Sequence, residues 1–536
     1  MFRKNAYQQM NFDDSVLVMP KYLKKILKNC WAHPFQEYIF PAIDETRFEV
    51  LYSDQPSRPN SPVNVIIGAL ILKEIFGHSD EELLGSIYFD DRYQYALHLT
   101  SEERPPISIN TFSNFRKRAY AYEKETGRDL IKEEVEAISE VIADTLNIDN
   151  EKVRVDSFMV ASSCKNLSRI ELVYTVNANF IKKLNVLDKA LIPESCISYL
   201  DKGHKNKTVY RTRDKENESK LNFLLKQSQT LYRAALISNT EIRETKEFKL
   251  LKRMLNEQTP HDDFDALDPD NIKVKEGKEL NSTILQNPSD PDATYRFKYK
   301  GNIGYTANVV EIYDGDHNII KDYDFKPNIY SDQKFSADTI EKLAGNSILE
   351  TPVKMIVDGA YFTIDLAEKA SEKGIEIIPG ELTGRKQNDS KMNYASTFEI
   401  SEENLVISCA NNEEPFYSDY DAEKDVCTAK FSKETCANCS LNKDCRIQFQ
   451  KKANTVRFKK DRYSRDLYRN KMQTKEFVEL TNQRAGVEGL PSIFRRVYNV
   501  DSMPVRGELR SKFYFAFKVL ASNVKKLFKK PIITTI

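Results

Sequence analysis

KVRVDSFMV, residues 152–160, and VKMIVDGAYF, residues 353–362, decide how this chain folds. The first alternates apolar with polar or charged side chains and is rich in valine. That two-residue period predicts a β-strand with Asp156 near its end. The second is an apolar run that predicts a strand ending on Asp358. Between them TYRFKYKGNIGYTANVVEIYDGDHNIIKDYDF (294–325) alternates in two runs around the turn DGDHN, a hairpin pattern. SADTIEKLAGN (336–346) and FTIDLAEKASEKG (362–374, closed by Gly374) have helical spacing, and IEIIP (375–379) is a further strand. Strand, hairpin, helix, strand, helix, strand predicts an α/β mixed sheet.

Toward the N-terminus, residues 16–150 read as all helix. PVNVIIGALILKEIFG (62–77) is apolar enough for a buried helix. Ser79 and Glu82 form a capping box that opens DEELLGSIYF (80–89), where Leu83, Leu84 and Ile87 recur at helical spacing. INTFSNFRKRAYAYEKETG (109–127) is another helix, expected to carry Arg116, Lys117 and Arg118 on or near its exposed side. Short helices ending in a basic one have the layout of a helix-turn-helix, so 1–150 is expected to be a DNA-binding unit. Residues 165–284 are charged and helical (ESKLNFLLKQSQTLYRAALI, 218–237) with an acidic loop, HDDFDALDPDN (261–271). They read as an insertion that divides a core formed by 151–164, 285–395 and 472–528. Residues 474–489 and 508–528 read as helices, and Pro491 is expected to end or kink the first of them.

The chain has 536 residues, enough for several cores, and 80 basic residues balance 80 acidic ones. The distribution says more than the total. Residues 451–471 hold nine Lys/Arg against two Asp, 484–530 hold eleven against three acids, and 402–425 hold eight acids against one Lys. Phosphate backbones are bound by local basic surfaces, not by whole-chain charge. Phe458, Tyr463 and Tyr468, interleaved with the first basic stretch, point the same way. The longest uncharged apolar run, Val65 to Leu72, is far short of the roughly 18 residues of a membrane span. No secretory signal opens the sequence, and a cytoplasmic location is expected.

Asp156 and Asp358 each close an apolar strand, at the sheet edge where α/β folds bind ligands. Two carboxylates brought together repel unless a cation lies between them. Hard oxygen donors select Mg²⁺ or Mn²⁺, and two such ions can drive phosphodiester displacement. The plainer reading is two aspartates that merely end strands and cap helices. Of the eight cysteines, Cys409, Cys427, Cys436, Cys439 and Cys445 lie within 37 residues. Cys436-x2-Cys439-x5-Cys445 with Cys409 suits structural zinc, and Cys427 is the other candidate for the fourth thiolate. The histidines assemble into nothing, and GNIGYT (301–306) lacks the Lys-Ser/Thr of a phosphate loop.

DSFMVAS, SDPDATYRFKYKGNIGYTANVV and VDGAYF closely resemble strand blocks of bacterial insertion-sequence transposases of the DDE superfamily. QRAGVEGLPSIFRR and VRGELRSKFYFAFKVLASNVKKLF resemble their C-terminal block, and RPNSPVNVIIGALILKEIFGHSDEELLGSI with INTFSNFRKR is similar to their helical N-terminal domain. The resemblance implies a ribonuclease H-like core carrying two insertions, the helical one and an acidic, Cys-rich one at 396–471 that ends in the basic stretch. It implies Asp156, Asp358 and Glu488 as the catalytic triad holding two Mg²⁺ ions, with Arg484 and Arg495 on phosphates. Thr481 stands where the family signature has Tyr, and Arg495 where it has Lys; Glu476 and Glu479 are the rival acids. Implied partners are the duplex DNA of the terminal inverted repeats and target, with no membrane, and a second copy of the chain as a homodimer on the nucleoid. A domesticated, non-catalytic DNA-binding protein and a ribonuclease H-like nuclease are the alternatives.

Overall fold

A computed structural model describes residues 1–5, 14–55, 58–100, 106–210, 217–238, 240–260, 272–298, 300–315, 317–345, 348–382, 395–441, 445 and 447–528. The acidic stretch 261–271 lies outside the described residues.

Four helices carry most of the N-terminal part: α1 (Val63–Phe76), α2 (Asp80–Phe89), α3 (Ile109–Thr126) and α4 (Leu130–Leu146). Helix α1 is buried almost all round and stops at Gly77. The capping box at α2 is reciprocal: Glu82 N–H donates to Ser79 Oγ (3.1 Å) and Ser79 N–H to Glu82 Oε2 (2.7 Å). Lys117 and Arg118 are exposed on α3, Arg118 over the Tyr52 ring. Arg116 is not on that side. Its neighbours in the sequence are basic, but its own position on the helix turns inward. There it is buried and donates to both Asp80 oxygens (2.6 and 2.8 Å), while Lys73 reaches the same carboxylate (2.7 Å).

The main sheet has six strands: β1 (Lys152–Ala161), β2 (Thr294–Lys298), β3 (Lys300–Asp314), β4 (His317–Pro327), β5 (Val353–Val357) and β6 (Ile375–Pro379). Its order is β4-β3-β1-β5-β6, with β2 on the first residues of β3. The strands β1, β5 and β6 run parallel, and β3 is antiparallel to β1, β2 and β4. Thus the expected hairpin is β3–β4, and β2 adds a second one that alternation alone merges into it. β3 approaches β1 closely at Gly304 (φ 151°), where a Cβ would lie 2.2 Å from the Val160 carbonyl oxygen. The second glycine of GNIGYT therefore serves strand contact.

Helices α5 (Arg169–Leu187), α6 (Asn217–Leu236) and α7 (Lys246–Gln258) form the inserted segment, and their apolar faces make a cluster of their own around Phe180, Leu225 and Leu251. Helices α8 (Asp332–Ala344) and α9 (Ile364–Glu372) link the sheet strands. Residues 399–459 form two small sheets, β7 (Glu399–Ile400) with β8 (Val406–Ser408), and β9 (Tyr417–Asp421), β10 (Val426–Phe431), β11 (Gln448–Phe449) and β12 (Asn454–Lys459) in the order 11-12-10-9. The basic stretch continues into α10 (Lys460–Met472). Its aromatics are packing residues, not an exposed stacking row: Phe458 is buried against Phe398, Tyr463 stacks on Phe458, and Tyr468 meets Phe362 edge-on.

The expected helix over 474–489 is broken in two, α11 (Lys475–Asn482) and α12 (Ala485–Glu488). The expected break before Pro491 is present: α12 stops at Glu488, and Pro491 is the second residue of α13 (Leu490–Arg496), where its missing N–H costs nothing. The long helix α14 (Glu508–Leu527) is buried along nearly its whole length between α1, α4 and β4. Asn523 inside it receives Ile320 N–H (2.9 Å) and donates to the Ile320 carbonyl (2.7 Å) and to Ser139 Oγ (3.0 Å). One continuous hydrophobic core therefore runs from the N-terminal helices through α14 into the sheet.

Candidate active site

Asp156 is not at the end of its strand but in the middle, opposite Val309 of β3. Its other neighbour explains the site. Val155 is in register with Val357, the last residue of β5, so Asp156 and Asp358 are the next residues along two adjacent parallel strands. The parallel ladder stops there while the antiparallel one continues, and the two aspartates meet at that carboxyl edge. Burial pushes the Asp156 carboxyl up to about 6; the Ser157 N–H (2.9 Å) and the Arg484 charge oppose this, and the Asp358 charge adds to it.

Arg484 joins the acids. Its Nη1 lies 3.0 Å from Glu488 Oε1 and its Nη2 3.7 Å from Asp358 Oδ1. Its Nε is buried with no hydrogen-bond partner among the described residues. Glu488 is half exposed and turned to the guanidinium, and among the described residues no group of three His, Cys, Asp or Glu is placed to hold a metal ion. Glu476 pairs with Lys354 at 2.7 Å, at the far end of β5 from Asp358, which separates it from the site.

The segment bearing Arg484 and Glu488 is fixed by residues that sequence reasoning missed. Arg154, two residues before Asp156, is buried in register with Glu311 of β3 and pairs with it at 2.7 Å. Arg154 Nη1 donates to the Gln483 carbonyl (2.8 Å), its guanidinium lies 3.9 Å from the Tyr313 ring centre, and Tyr313 OH donates to Gln483 Oε1 (2.6 Å). Gly486 faces this cluster so closely that a Cβ would lie 1.8 Å from Arg154 Nη1. The available signal was a charged residue in the middle of each apolar run, VRVD and VVEIY. Downstream, Val487 and Phe494 enter the core, Phe494 against Phe158 and Phe515. Arg495 is already committed: its Nε lies 3.1 Å from Asp501 and its Nη2 donates to the Met159 carbonyl (2.8 Å), so it ties α13 to β1.

Cys409, Cys436, Cys439 and Cys445 line one small cavity of about 30 Å³. Burial first, then the three neighbouring cysteines, push the Cys445 thiol up. Cys427 does not line it; it is fully buried within β10, its thiol raised to about 11 by burial.

Two family models match this chain. Residues 408–528 match the one described as a transposase DDE domain, and residues 28–118 match the transposase domain DUF772. The first contains Arg484, Glu488 and the four cavity cysteines, and begins after both aspartates. No curated protein and no solved structure matches the chain.

Proposed function

Because the two matched segments support an insertion-sequence DDE transposase, we propose that Asp156, Asp358 and Glu488 cleave DNA strands at the ends of an insertion sequence and transfer the freed 3′ ends to target DNA. The observation that carries this is the register of β1 on β5, which sets the two aspartates side by side at the end of the parallel ladder, with Arg484 reaching Asp358 and Glu488. The strand order β4-β3-β1-β5-β6, antiparallel then parallel, supports a ribonuclease H-like core.

The donors suit Mg²⁺ or Mn²⁺: the carboxyl of Asp156 is held largely out of water beside a second carboxylate, a charge arrangement that a divalent cation relieves. Asp156 and Asp358 would hold the metal, with Glu488 as third carboxylate. Bound there, two ions would activate water or a 3′-hydroxyl and stabilise the leaving oxygen. Arg484 orients the scissile phosphate through the guanidinium that already reaches Asp358 and Glu488. Arg154 holds the Gln483 turn, and with it Arg484 and Glu488, over the end of the ladder. Lys117 and Arg118 on α3 and the basic stretch 451–471 contact duplex DNA, and two copies of the chain bridge two ends. The four thiols around the cavity are the donors a structural zinc ion would take, with Cys409 rather than Cys427 as the fourth, although as placed they are not drawn together into a metal site.

Asp156→Asn, Asp358→Asn and Glu488→Gln should each abolish Mg²⁺-dependent nicking of a duplex carrying the terminal repeat, while mobility-shift binding of that duplex stays within a few-fold of wild type. Cleavage by Glu488→Gln would move the assignment to Glu479. Wild-type binding without cleavage would favour the non-catalytic reading.

A further inference from the structure

Away from the acids, a cleft of about 890 Å³ opens where three parts of the chain converge. Lys124 comes from α3, Lys246 from the first residue of α7, and Arg506 and Arg510 from the start of α14 and the loop before it. All four are exposed. Lys124, Lys246 and Arg510 form no ion pair among the described residues, and Arg506 Nε only donates to the Ser163 carbonyl (2.8 Å). Comparable cations nearby are paired: Lys249 with Glu244 and Lys512 with Glu123 and Asp129. The one acid lining the cleft among the described residues, Asp292, is turned to the Glu508 N–H (3.3 Å) at the start of α14. Four cations against one committed acid, in a chain whose total charge is zero, make a local field for a polyanion.

Ser163, on the cleft wall, lies seven residues beyond Asp156 along β1 and its continuation. Extended chain covers roughly 20 Å over that distance, about six base pairs of duplex.

We propose that this cleft seats the sugar–phosphate backbone of the duplex whose scissile bond lies at Asp156 and Asp358, about six base pairs away. This rests on the transposase reading and adds a second, sequence-independent contact to it. Phosphate contacts fix register without reading bases, so the cleft would set how far the cut falls from whatever the N-terminal helices recognise.

The test uses the full-length protein and two fluorescein-labelled 40-base-pair duplexes, one with the sequence flanking the reading frame and one random. Affinity is measured by anisotropy from 50 to 200 mM salt. In a Lys124→Gln/Lys246→Gln/Arg510→Gln variant the slope of log K against log salt should shrink by about 2 to 3, since each lost phosphate contact removes roughly 0.9. The shrinkage should be alike on both duplexes, the melting temperature unchanged, and hydroxyl-radical protection lost about six base pairs from the cut. An unchanged slope in a variant that still folds overturns the cleft assignment while leaving the transposase reading standing. A changed sedimentation coefficient without a changed slope would overturn it in favour of an acidic segment of a second copy. A wild-type protein that binds neither duplex sinks both.

Discussion

Replacing Gly486 by alanine puts a methyl group where the Arg154 guanidinium already sits. Gly486 lies in α12, and on helix propensity alone the change would stabilise by about 1 kcal/mol. The structure reverses the sign. The added Cβ would lie 1.8 Å from Arg154 Nη1, 2.5 Å from Cζ and 2.9 Å from Nη2, so something must move. The end of an arginine usually swings away cheaply, but this one is pinned by Glu311, by the Gln483 carbonyl and by the Tyr313 ring. Moving it would strip the fully buried Glu311 of its nearest cation, leaving only Asn318 and the more distant Lys526 at 4.0 Å, at a cost of about 3–5 kcal/mol. Moving the loop instead breaks the charged hydrogen bond to Gln483, about 1.5–3 kcal/mol. The loop therefore yields, and carries Arg484 and Glu488 with it by about an ångström; misplacement on that scale costs on the order of 100-fold in rate. The expected Gly486→Ala protein is folded, destabilised by about 2 kcal/mol in denaturant titration, normal in binding the terminal duplex, and slowed about 100-fold in nicking. A variant as stable as wild type that nicks at the wild-type rate would refute the pinning of Arg154 and its link to Glu488.

Particular contacts set three further outcomes. Burial raises the Asp80 carboxyl, but Arg116 and Lys73 outweigh it and hold the group down to about 2, below its ordinary 3.8. Its contribution to stability is therefore full above about pH 4 and is lost as pH falls toward 2; denaturant midpoints at pH 5 and pH 3 should show a loss of about 1 kcal/mol that Asp80→Asn lacks. Asn523→Ala strands the Ile320 N–H and carbonyl inside the core and should destabilise by about 2–5 kcal/mol in the same titration, whereas Glu372→Gln on the exposed end of α9 should stay within about 0.5 kcal/mol. Protein purified without chelator should carry one zinc by atomic emission; Cys436→Ser should lose it and Cys427→Ser should keep it, and a loss on the latter would put Cys427 back among the ligands.

The pattern of elements was readable where one physical signal dominated. The period of KVRVDSFMV, the capping box at Ser79 and the apolar run of α1 are local, and each appears where its residues dictate. The site was readable only in part, because its geometry is set by register. Nothing within either strand says that Val155 faces Val357, yet that pairing is what joins Asp156 to Asp358. Arg116 shows the opposite failure. A run of three basic residues reads as one exposed face, but a helix turns about 100° per residue, and the first of the three faces Asp80. The aromatics of the basic stretch misled for the same reason: composition cannot tell a stacking platform from the lid of a small core. The family matches and the geometry are complementary here. The matched DDE segment holds Glu488, whose own signal in the sequence is a four-residue spacing to Arg484, and the strand register concerns the two aspartates that lie before it.

The placement of α14 has a bearing on how the protein is made. All three acids precede this helix in the chain, yet the surface that α14 covers on α1, α4 and β4 stays open until residue 527 has left the ribosome. Synthesis otherwise lets early segments fold first, but here the first helices must wait for a partner roughly 450 residues downstream, a long loop closure of the kind that slows folding. A prematurely terminated product would thus carry every candidate nuclease residue without the pillar that seals their scaffold. The candidate site would be closed over only in full-length molecules.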